Sequence, residues 1–85
     1  MANLVRAEIR YYAQLKDALR LSREEIEVAL PATETDILKR LAGLHPAQES
    51  LILASRLAVE DAYLPYGTVL DRLESADVIP PVSGG

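Results

Sequence analysis

Cysteine is absent from the 85-residue sequence, histidine occurs once, and there is no phenylalanine or tryptophan. The lack of cysteine excludes a disulfide scaffold, a thiolate metal site and a cysteine nucleophile. A single histidine, His45, cannot build a multi-histidine metal site. Because aromatic residues are limited to four tyrosines, the core has to be aliphatic. We therefore expect one small domain that binds no metal and no cofactor of its own.

Positive charge is also scarce, since nine Lys and Arg stand against thirteen Asp and Glu, for a net charge of -4. This balance argues against nucleic acid as the main partner and suits a partner with a basic docking surface. No apolar run reaches the roughly 18 residues that a membrane span requires. The start of the sequence shows no apolar signal-peptide segment. We expect a cytoplasmic protein without a membrane partner.

Alternating apolar and charged residues predict two antiparallel strands, in "LVRAEIRYYAQL" and "REEIEVAL". The side chains predicted to face the core are Val5, Ala7, Ile9, Tyr11, Ile26, Val28 and Leu30. Only one of the adjacent Tyr11 and Tyr12 can do so. The intervening "AQLKDALRL" predicts a short helix or turn, and Pro31 ends the second strand because it cannot donate to the ladder.

The segment "TETDILKRLAGLHP" predicts the main helix. Thr33 and Asp36 have the spacing of a capping box, with Asp in place of the usual Glu or Gln. Gly43 is expected to adopt the left-handed conformation at the C-terminal end of this helix, and Pro46 prevents the helix from continuing. The apolar stripe consists of Ile37, Leu38, Leu41 and Leu44.

The second half of the chain carries weaker patterns. "AQESLILASR" fits either a second helix or a buried extended piece, and "RLAVEDAYL" predicts a strand followed by a turn at Glu60 and Asp61. Pro65 and Gly67 indicate a loop, and "ADVI" predicts a last strand. This order predicts an α+β domain over residues 1–79, with a mixed sheet of four to five strands covered by one main helix. The β-grasp, or ubiquitin-like, architecture is the commonest small example.

The side chains predict no complete active site within this chain. The acidic clusters "REEIE" and "VEDA" fit exposed strand faces or a turn, and His45 fits a structural or exposed position. Tyr63 and Tyr66 flank a proline loop and are expected to pack.

Residues 80–85, "PPVSGG", predict an extended C-terminal tail that leaves the sheet. Pro80 and Pro81 each fix φ and remove an N–H donor, and Gly84-Gly85 can enter a channel too narrow for side chains. The carboxylate of Gly85 is ionised and inert until a partner activates it, most simply as an acyl-adenylate made from ATP. The activated glycine can then accept sulfide or acylate a lysine. An inert tail on a plain interaction domain is the alternative.

The stretch "IPPVSGG" resembles the C-terminal signature of the MoaD family, the small subunits of molybdopterin synthase. Weaker similarity extends over "RYYAQLKD", "TETDILKRLAGLHP" and "LAVEDAYL". The resemblance implies a β-grasp sulfur carrier. An E1-like, MoeB-like enzyme would use ATP to adenylate Gly85, and a sulfur donor would form the thiocarboxylate. The tail, from Pro80 and Pro81 through Val82, Ser83 and Gly84, would then enter a MoaE-like large subunit.

There, in a heterotetramer, Gly85 would give sulfur to cyclic pyranopterin monophosphate during molybdenum cofactor biosynthesis. Other pathways remain open: thiamine synthesis, tRNA thiolation, or attachment to lysines as a ubiquitin-like modifier. The sequence departs from the family at Leu73-Glu74-Ser75, where a turn is expected, and at Asp77, a position usually small or apolar. We also expect some of the residues Leu57, Val59, Ile79 and Val82 to form an exposed apolar docking patch beside the tail.

Overall fold

The structure, a computed structural model, describes residues 3–82. In this range the chain forms a five-stranded mixed sheet, a second sheet of two short strands, and helices that complete one core. The strands are β1 (Asn3–Tyr11), β2 (Arg23–Leu30), β3 (Ala32–Thr33), β4 (Arg56–Val59), β5 (Ala62–Tyr63), β6 (Val69–Leu70) and β7 (Ser75–Ile79). The helices are α1 (Ala13–Leu19), α2 (Glu34–Leu44) and α3 (Glu49–Leu53), with a 3₁₀ turn at Pro46–Gln48.

The main sheet has the strand order β2-β1-β7-β4-β5, so β7 lies in its middle. It pairs in parallel with β1, with Tyr11 opposite Val78, and antiparallel with β4, with Leu57 opposite Val78. The small sheet pairs β3 with β6. The mixed α+β architecture predicted from the element order is confirmed.

Strands β1 and β2 form the predicted antiparallel pair, with Val5 opposite Val28 and Ala7 opposite Ile26. The residues predicted to face the core are buried, except that Val5 is half-buried and packs against the core. Of the two adjacent tyrosines, Tyr11 is 1% exposed and Tyr12 is 41% exposed. Strand alternation therefore identified the core face of this hairpin correctly.

Helix α2 begins with the predicted capping box. The Asp36 backbone N–H donates to Thr33 Oγ1 at 3.2 Å, and the Thr33 N–H donates to Asp36 Oδ2 at 3.0 Å. The Thr33 backbone N–H, and after it the Thr33 hydroxyl, stabilise the Asp36 carboxylate by hydrogen bonding and lower its pKa. The helix buries Ile37, Leu38 and Leu41 as predicted. The stripe stops there, because the side chain of Leu44 is 41% exposed.

The predicted left-handed helix end at Gly43 is wrong. Gly43 lies inside α2, which continues to Leu44, and its φ is not positive. The helix ends at Leu44, and the following His45 has a φ of -130° and a ψ of 66°, which are not helical. Pro46 explains this end, because a proline disfavours the helical conformation of the residue before it.

The ambiguous segment after α2 is helical. The 3₁₀ turn at Pro46–Gln48 leads into α3, which buries Ile52 against the core. The hydroxyl of the buried Ser55 donates to the Leu51 carbonyl at 2.7 Å, so the polar atom that follows the helix is satisfied.

The predicted turn at Glu60 and Asp61 joins β4 to β5. Val59 pairs with Ala62, so the loop has two residues, and both have positive φ, 53° at Glu60 and 65° at Asp61. Two positive φ angles in a two-residue hairpin loop are typical of a type I′ turn, which favours Gly at its second position. Asp61 therefore occupies a backbone conformation that suits glycine better.

Replacing Asp61 with Gly is expected to raise the free energy of unfolding by about 0.5–1 kcal/mol, because glycine adopts this φ without steric cost. Asp71→Gly is a matched control, since Asp71 is also exposed but is not among the positive-φ residues. It should give no gain in urea unfolding. Equal effects of the two substitutions would contradict the explanation based on turn strain.

Candidate functional site

The candidate site is the place where the chain leaves the sheet after β7. The strand ends at Ile79, and neither following residue can donate a backbone N–H because both are prolines. Pro80 is buried, Pro81 is exposed, and the side chain of Val82 is 93% exposed. The predictions for Ser83, Gly84 and Gly85 lie outside the described residues.

Within residues 3–82, the side chain of Gln14 makes a hydrogen bond to this C-terminal stretch. The Gln14 Nε2 amide donates to the Pro81 carbonyl oxygen at 3.1 Å, across 67 positions of sequence. Gln14 lies in the first turn of α1, directly before Leu15, which is 0% exposed. Sequence reasoning missed Gln14, and no local pattern in the sequence indicates the contact.

The predicted docking patch needs one correction. Leu57 is 0% exposed, because it pairs with the buried Val78 on the face of the sheet that meets the core. Val59 lies on the same side of β4 as Leu57, as predicted. This side faces the core, and the half-buried Val59 packs against the core cluster. Ile79 is half-buried on the opposite face, one residue beyond Val78. Leu57 therefore belongs to the core and offers no docking surface.

The opposite face of the sheet, which we call the outer face, carries a cross-strand ion pair. Arg10 Nε donates to Asp77 Oδ1 at 2.7 Å, and the Tyr12 hydroxyl donates to the same oxygen at 3.3 Å. Asp77 and Arg10 are direct partners in the parallel β1–β7 register. The pair raises the pKa of Arg10, through the hydrogen bond first and then through the charge of Asp77.

This ion pair accounts for the unusual Asp77. Its side chain is 15% exposed, and Arg10 supplies the opposite charge that makes a partly buried carboxylate acceptable. The Leu73-Glu74-Ser75 segment is also accommodated. Leu73 is 6% exposed and belongs to the core, and the Glu74 carbonyl accepts the Glu8 N–H at 2.9 Å.

A second cluster surrounds Arg56, which is opposite Ile79 in the β4–β7 register. Its guanidinium lies 4.2 Å from the ring centroid of Tyr66 and 5.5 Å from that of Tyr63. Nη2 donates to the Leu64 carbonyl at 2.6 Å, and Nε donates to Glu34 Oε2 at 2.9 Å. Tyr63 is 57% exposed and Tyr66 is 82% exposed. The packing predicted for these two rings therefore occurs at the surface, against the guanidinium of Arg56.

The carboxylate of Glu34 joins the first turn of α2 to β4. Besides Arg56, Glu34 Oε2 accepts the backbone N–H of Leu57 at 2.8 Å. The Glu34 side chain is 12% exposed. One partly buried oxygen thus satisfies a strand N–H and a guanidinium.

The single histidine has a structural environment. His45 Nε2 lies 2.6 Å from Glu24 Oε2, and the Tyr11 hydroxyl donates to the same oxygen at 2.5 Å. The rings of Tyr11 and His45 also meet edge to face, with centroids 6.1 Å apart. This three-residue cluster connects β1 and β2 to the end of α2, and it is remote in sequence from the tail.

The cluster predicts a loss of stability in alkali. Burial, and then the hydrogen bond to Glu24, raise the pKa of Tyr11 above its ordinary 10.0. The unfolded chain therefore releases this proton at lower pH than the folded chain. The contribution of the protonated Tyr11 hydroxyl to the free energy of unfolding is complete below about pH 10. Above that pH the free energy of unfolding declines by up to about 1.4 kcal/mol per pH unit.

Urea unfolding between about pH 9 and 11 tests this expectation. Tyr11→Phe should show a shallower fall in unfolding free energy than the wild type over that range. The control is Tyr63→Phe, at an exposed ring, which should follow the wild type. Equal slopes for wild type and Tyr11→Phe would contradict the assignment.

Within residues 3–82, no three or more His, Asp or Glu side chains are grouped so that they could hold a metal ion. None of the helices in this range combines the length and apolar character needed to cross a bilayer.

The central parallel pair of β1 and β7, the hairpins beside it and the covering α2 define a ubiquitin-like β-grasp fold, as predicted. The chain is similar to the crystal structure of SAMP1 from Haloferax volcanii, with 25% identity, 95% of this chain and 100% of that one covered, and a TM-score of 0.76. A Haloferax volcanii structure given as small archaeal modifier protein 1 matches with 23% identity, 92% and 99% coverage, and a TM-score of 0.74.

A Pyrococcus furiosus protein named as molybdopterin converting factor, subunit 1, matches with 21% identity over 92% of this chain and 99% of that one, with a TM-score of 0.73. No protein-family model matches the sequence.

Proposed function

We propose that this chain is a ubiquitin-like sulfur carrier for molybdopterin synthesis, with the carboxylate of Gly85 as its reactive group. The observation that carries the proposal is the path of the chain. It leaves the middle strand of the sheet at a buried proline and reaches the exposed Val82, from which Ser83, Gly84 and Gly85 continue in the sequence. The similarity to SAMP1 and to the Pyrococcus protein supports the class. The "IPPVSGG" signature favours molybdopterin among the possible pathways.

The proposed chemistry has two steps, adenylation and thiocarboxylate formation, before the sulfur is transferred. A carboxylate oxygen of Gly85 attacks the α-phosphorus of ATP on an E1-like partner, and pyrophosphate leaves. A sulfide sulfur then attacks the acyl carbon, the bond to the phosphate oxygen breaks, and AMP leaves with the electron pair. The product is a thiocarboxylate, and neither step changes the oxidation state of the chain. The large synthase subunit would supply the catalytic side chains for sulfur transfer to cyclic pyranopterin monophosphate.

Docking on the partner would use the outer face beside the tail. Ile79 and Val82 provide apolar contacts there, and the exposed Tyr12 and Tyr63 provide aromatic ones. Tyrosine and arginine are both enriched among interface hot spots. Leu57 has no part in this surface, since its side chain is fully buried on the core side of the sheet.

A second candidate is a protein modifier that is joined through Gly85 to lysine side chains of other proteins. The similarity to small archaeal modifier protein 1 is the specific observation that favours it. The two candidates share adenylation and differ in what attacks the acyl carbon, sulfide sulfur or a lysine amine. Thiamine synthesis and tRNA thiolation would use the same thiocarboxylate.

Intact-mass spectrometry tests the proposal. The chain is incubated with an E1-like adenylyltransferase, ATP and sulfide, and we expect a gain equal to the mass difference between sulfur and oxygen at Gly85. Omitting ATP should abolish the gain. Rescue of a strain that lacks the small synthase subunit would separate molybdopterin synthesis from the other sulfur pathways. Conjugates on lysine that survive denaturation and thiol reduction, without rescue, would favour the modifier. If neither a sulfur gain nor lysine conjugates are found, the inert tail on a plain interaction domain is the remaining alternative.

A further inference from the structure

We propose that Gln14 is a positioning residue for the C-terminal tail, which fixes the direction in which the chain leaves the sheet. This inference rests on the proposed function for its kinetic consequence, while its structural part stands on the contact itself. The Gln14 Nε2 amide donates to the Pro81 carbonyl oxygen at 3.1 Å. Among residues 3–82, this is the side-chain hydrogen bond that reaches the chain beyond β7.

The two prolines explain why a side chain is needed here. Neither Pro80 nor Pro81 has a backbone N–H, so a neighbouring strand cannot hold this stretch by accepting from it. Only the carbonyl oxygens remain for a hydrogen bond within the chain, and such a bond needs a donor from a neighbouring residue. The NH₂ group of a Gln side chain is such a donor, and the acceptor on Pro81 determines which end of the amide faces the tail.

The parallel pairing of β1 and β7 brings the two residues together. Tyr11 is opposite Val78 in the register, and parallel strands leave a sheet in the same direction. Gln14 lies three residues after Tyr11, and Pro81 lies three residues after Val78. Both segments therefore leave the same end of the sheet side by side, and the Gln14 side chain closes the distance between them.

The backbone around Gln14 is held on both sides. Ala13 has a left-handed φ of 53°, which is costly for an L-residue with a Cβ and is kept here where β1 turns into α1. On the other side, the side chain of Leu15 is 0% exposed and anchors α1 in the core. The amide is thus presented by a fixed segment, and the buried Pro80 fixes the other partner one residue before Pro81.

A held tail loses less conformational freedom when it enters a partner's channel, so the contact should lower the cost of productive binding. The effect of one exposed hydrogen bond is modest, and we expect roughly a two- to fivefold change in KM for the activating enzyme. The chemistry at Gly85 does not involve Gln14, so kcat should stay the same.

The test compares three variants of the full chain. Gln14→Glu keeps the shape but presents an acceptor to the Pro81 carbonyl, and Gln14→Ala removes the amide. An acidic residue in the first turn of α1 is compatible with the helix, so Gln14→Glu should fold. Thr35→Glu, at an exposed position in the first turn of α2, adds the same charge away from α1 and is the matched control.

The first readout is ¹⁵N relaxation of the Val82 amide, which needs no partner. Both Gln14 variants are expected to increase fast motion at Val82, while Thr35→Glu leaves it as in the wild type. Unchanged relaxation in both Gln14 variants would overturn the proposal. The relaxation measurement gives a result even if the wild type is never thiocarboxylated. Failure of the proposal for Gln14 can therefore be distinguished from failure of the proposed function.

The second readout is the rate of sulfur gain with the activating enzyme, ATP and sulfide. A raised KM with unchanged kcat in the Gln14 variants supports positioning, and Thr35→Glu should match the wild type. An unchanged or lowered KM would overturn the kinetic part of the proposal. A fall in kcat alone would also overturn it, because it would place Gln14 in the chemistry.

Discussion

Removal of Gly84 and Gly85 is expected to abolish the sulfur gain while leaving the unfolding free energy unchanged. The acyl group that the partner activates would then end at Ser83, whose side chain and altered reach are unsuited to a narrow channel that admits a bare glycine tip. The core within residues 3–82 does not depend on the missing pair, and its most C-terminal buried residue is Pro80. Intact mass measures the first effect and urea unfolding the second.

The control for this truncation keeps both glycines. Ser83→Ala changes the residue before them and should gain sulfur as the wild type does, because its terminal carboxylate is in place. A truncated chain that still gains sulfur at the wild-type rate would refute Gly85 as the reacting residue. A truncated chain that has lost stability would show that the tail supports the fold.

Replacing Glu34 with Ala is expected to lower the free energy of unfolding by about 2–3 kcal/mol. Glu34 Oε2 accepts from both Arg56 Nε and the Leu57 N–H, at 2.9 and 2.8 Å. The substitution leaves the N–H of a fully buried residue and a guanidinium without this acceptor. In a domain of this size, such a loss is a large part of a total stability of about 5–15 kcal/mol.

Two further variants separate the causes. Glu34→Gln retains a neutral oxygen acceptor and should lose only about 1 kcal/mol. Glu27→Ala, at an exposed site on β2, removes a carboxylate with little consequence and should stay within about 0.5 kcal/mol of the wild type. Urea unfolding at pH 7 measures all three. A Glu34→Ala effect no larger than that of Glu27→Ala would contradict the bridging role.

Local patterns in the sequence were sufficient for much of the fold. The alternation of β1 and β2 predicted their core faces, because a half-buried strand repeats every two residues. The spacing of Thr33 and Asp36 predicted the start of α2, since both hydrogen bonds of a capping box are local. The turn at Glu60 and Asp61 was predicted from its polar residues between two apolar stretches.

Features that depend on distant residues could not be predicted in the same way. Alternation placed Leu57 and Val59 on one side of β4 but did not tell which side meets the core, and that side is set by pairing with β7. Gly43 fitted a helix end by residue type, but Pro46 determined where α2 ends.

The surroundings of the tail depend on the same long-range pairing. Arg10 with Asp77, and Gln14 with Pro81, are each separated by 67 positions. No spacing rule in a single sequence connects such residues. The chemistry of the tail stays a prediction from its sequence, whereas the parallel pairing of β1 and β7 determines which side chains lie beside its first residues.

The central position of β7 also determines how the domain responds to mechanical force. A partner that gripped the tail would pull along β7, whose hydrogen bonds to β1 and β4 run across the strand direction on both sides. Both ladders are then loaded in shear, so their bonds resist together, whereas an edge strand would peel from one neighbour. Tension that such a partner applied to the tail would thus be distributed over the sheet, and the domain could stay folded while its end is held.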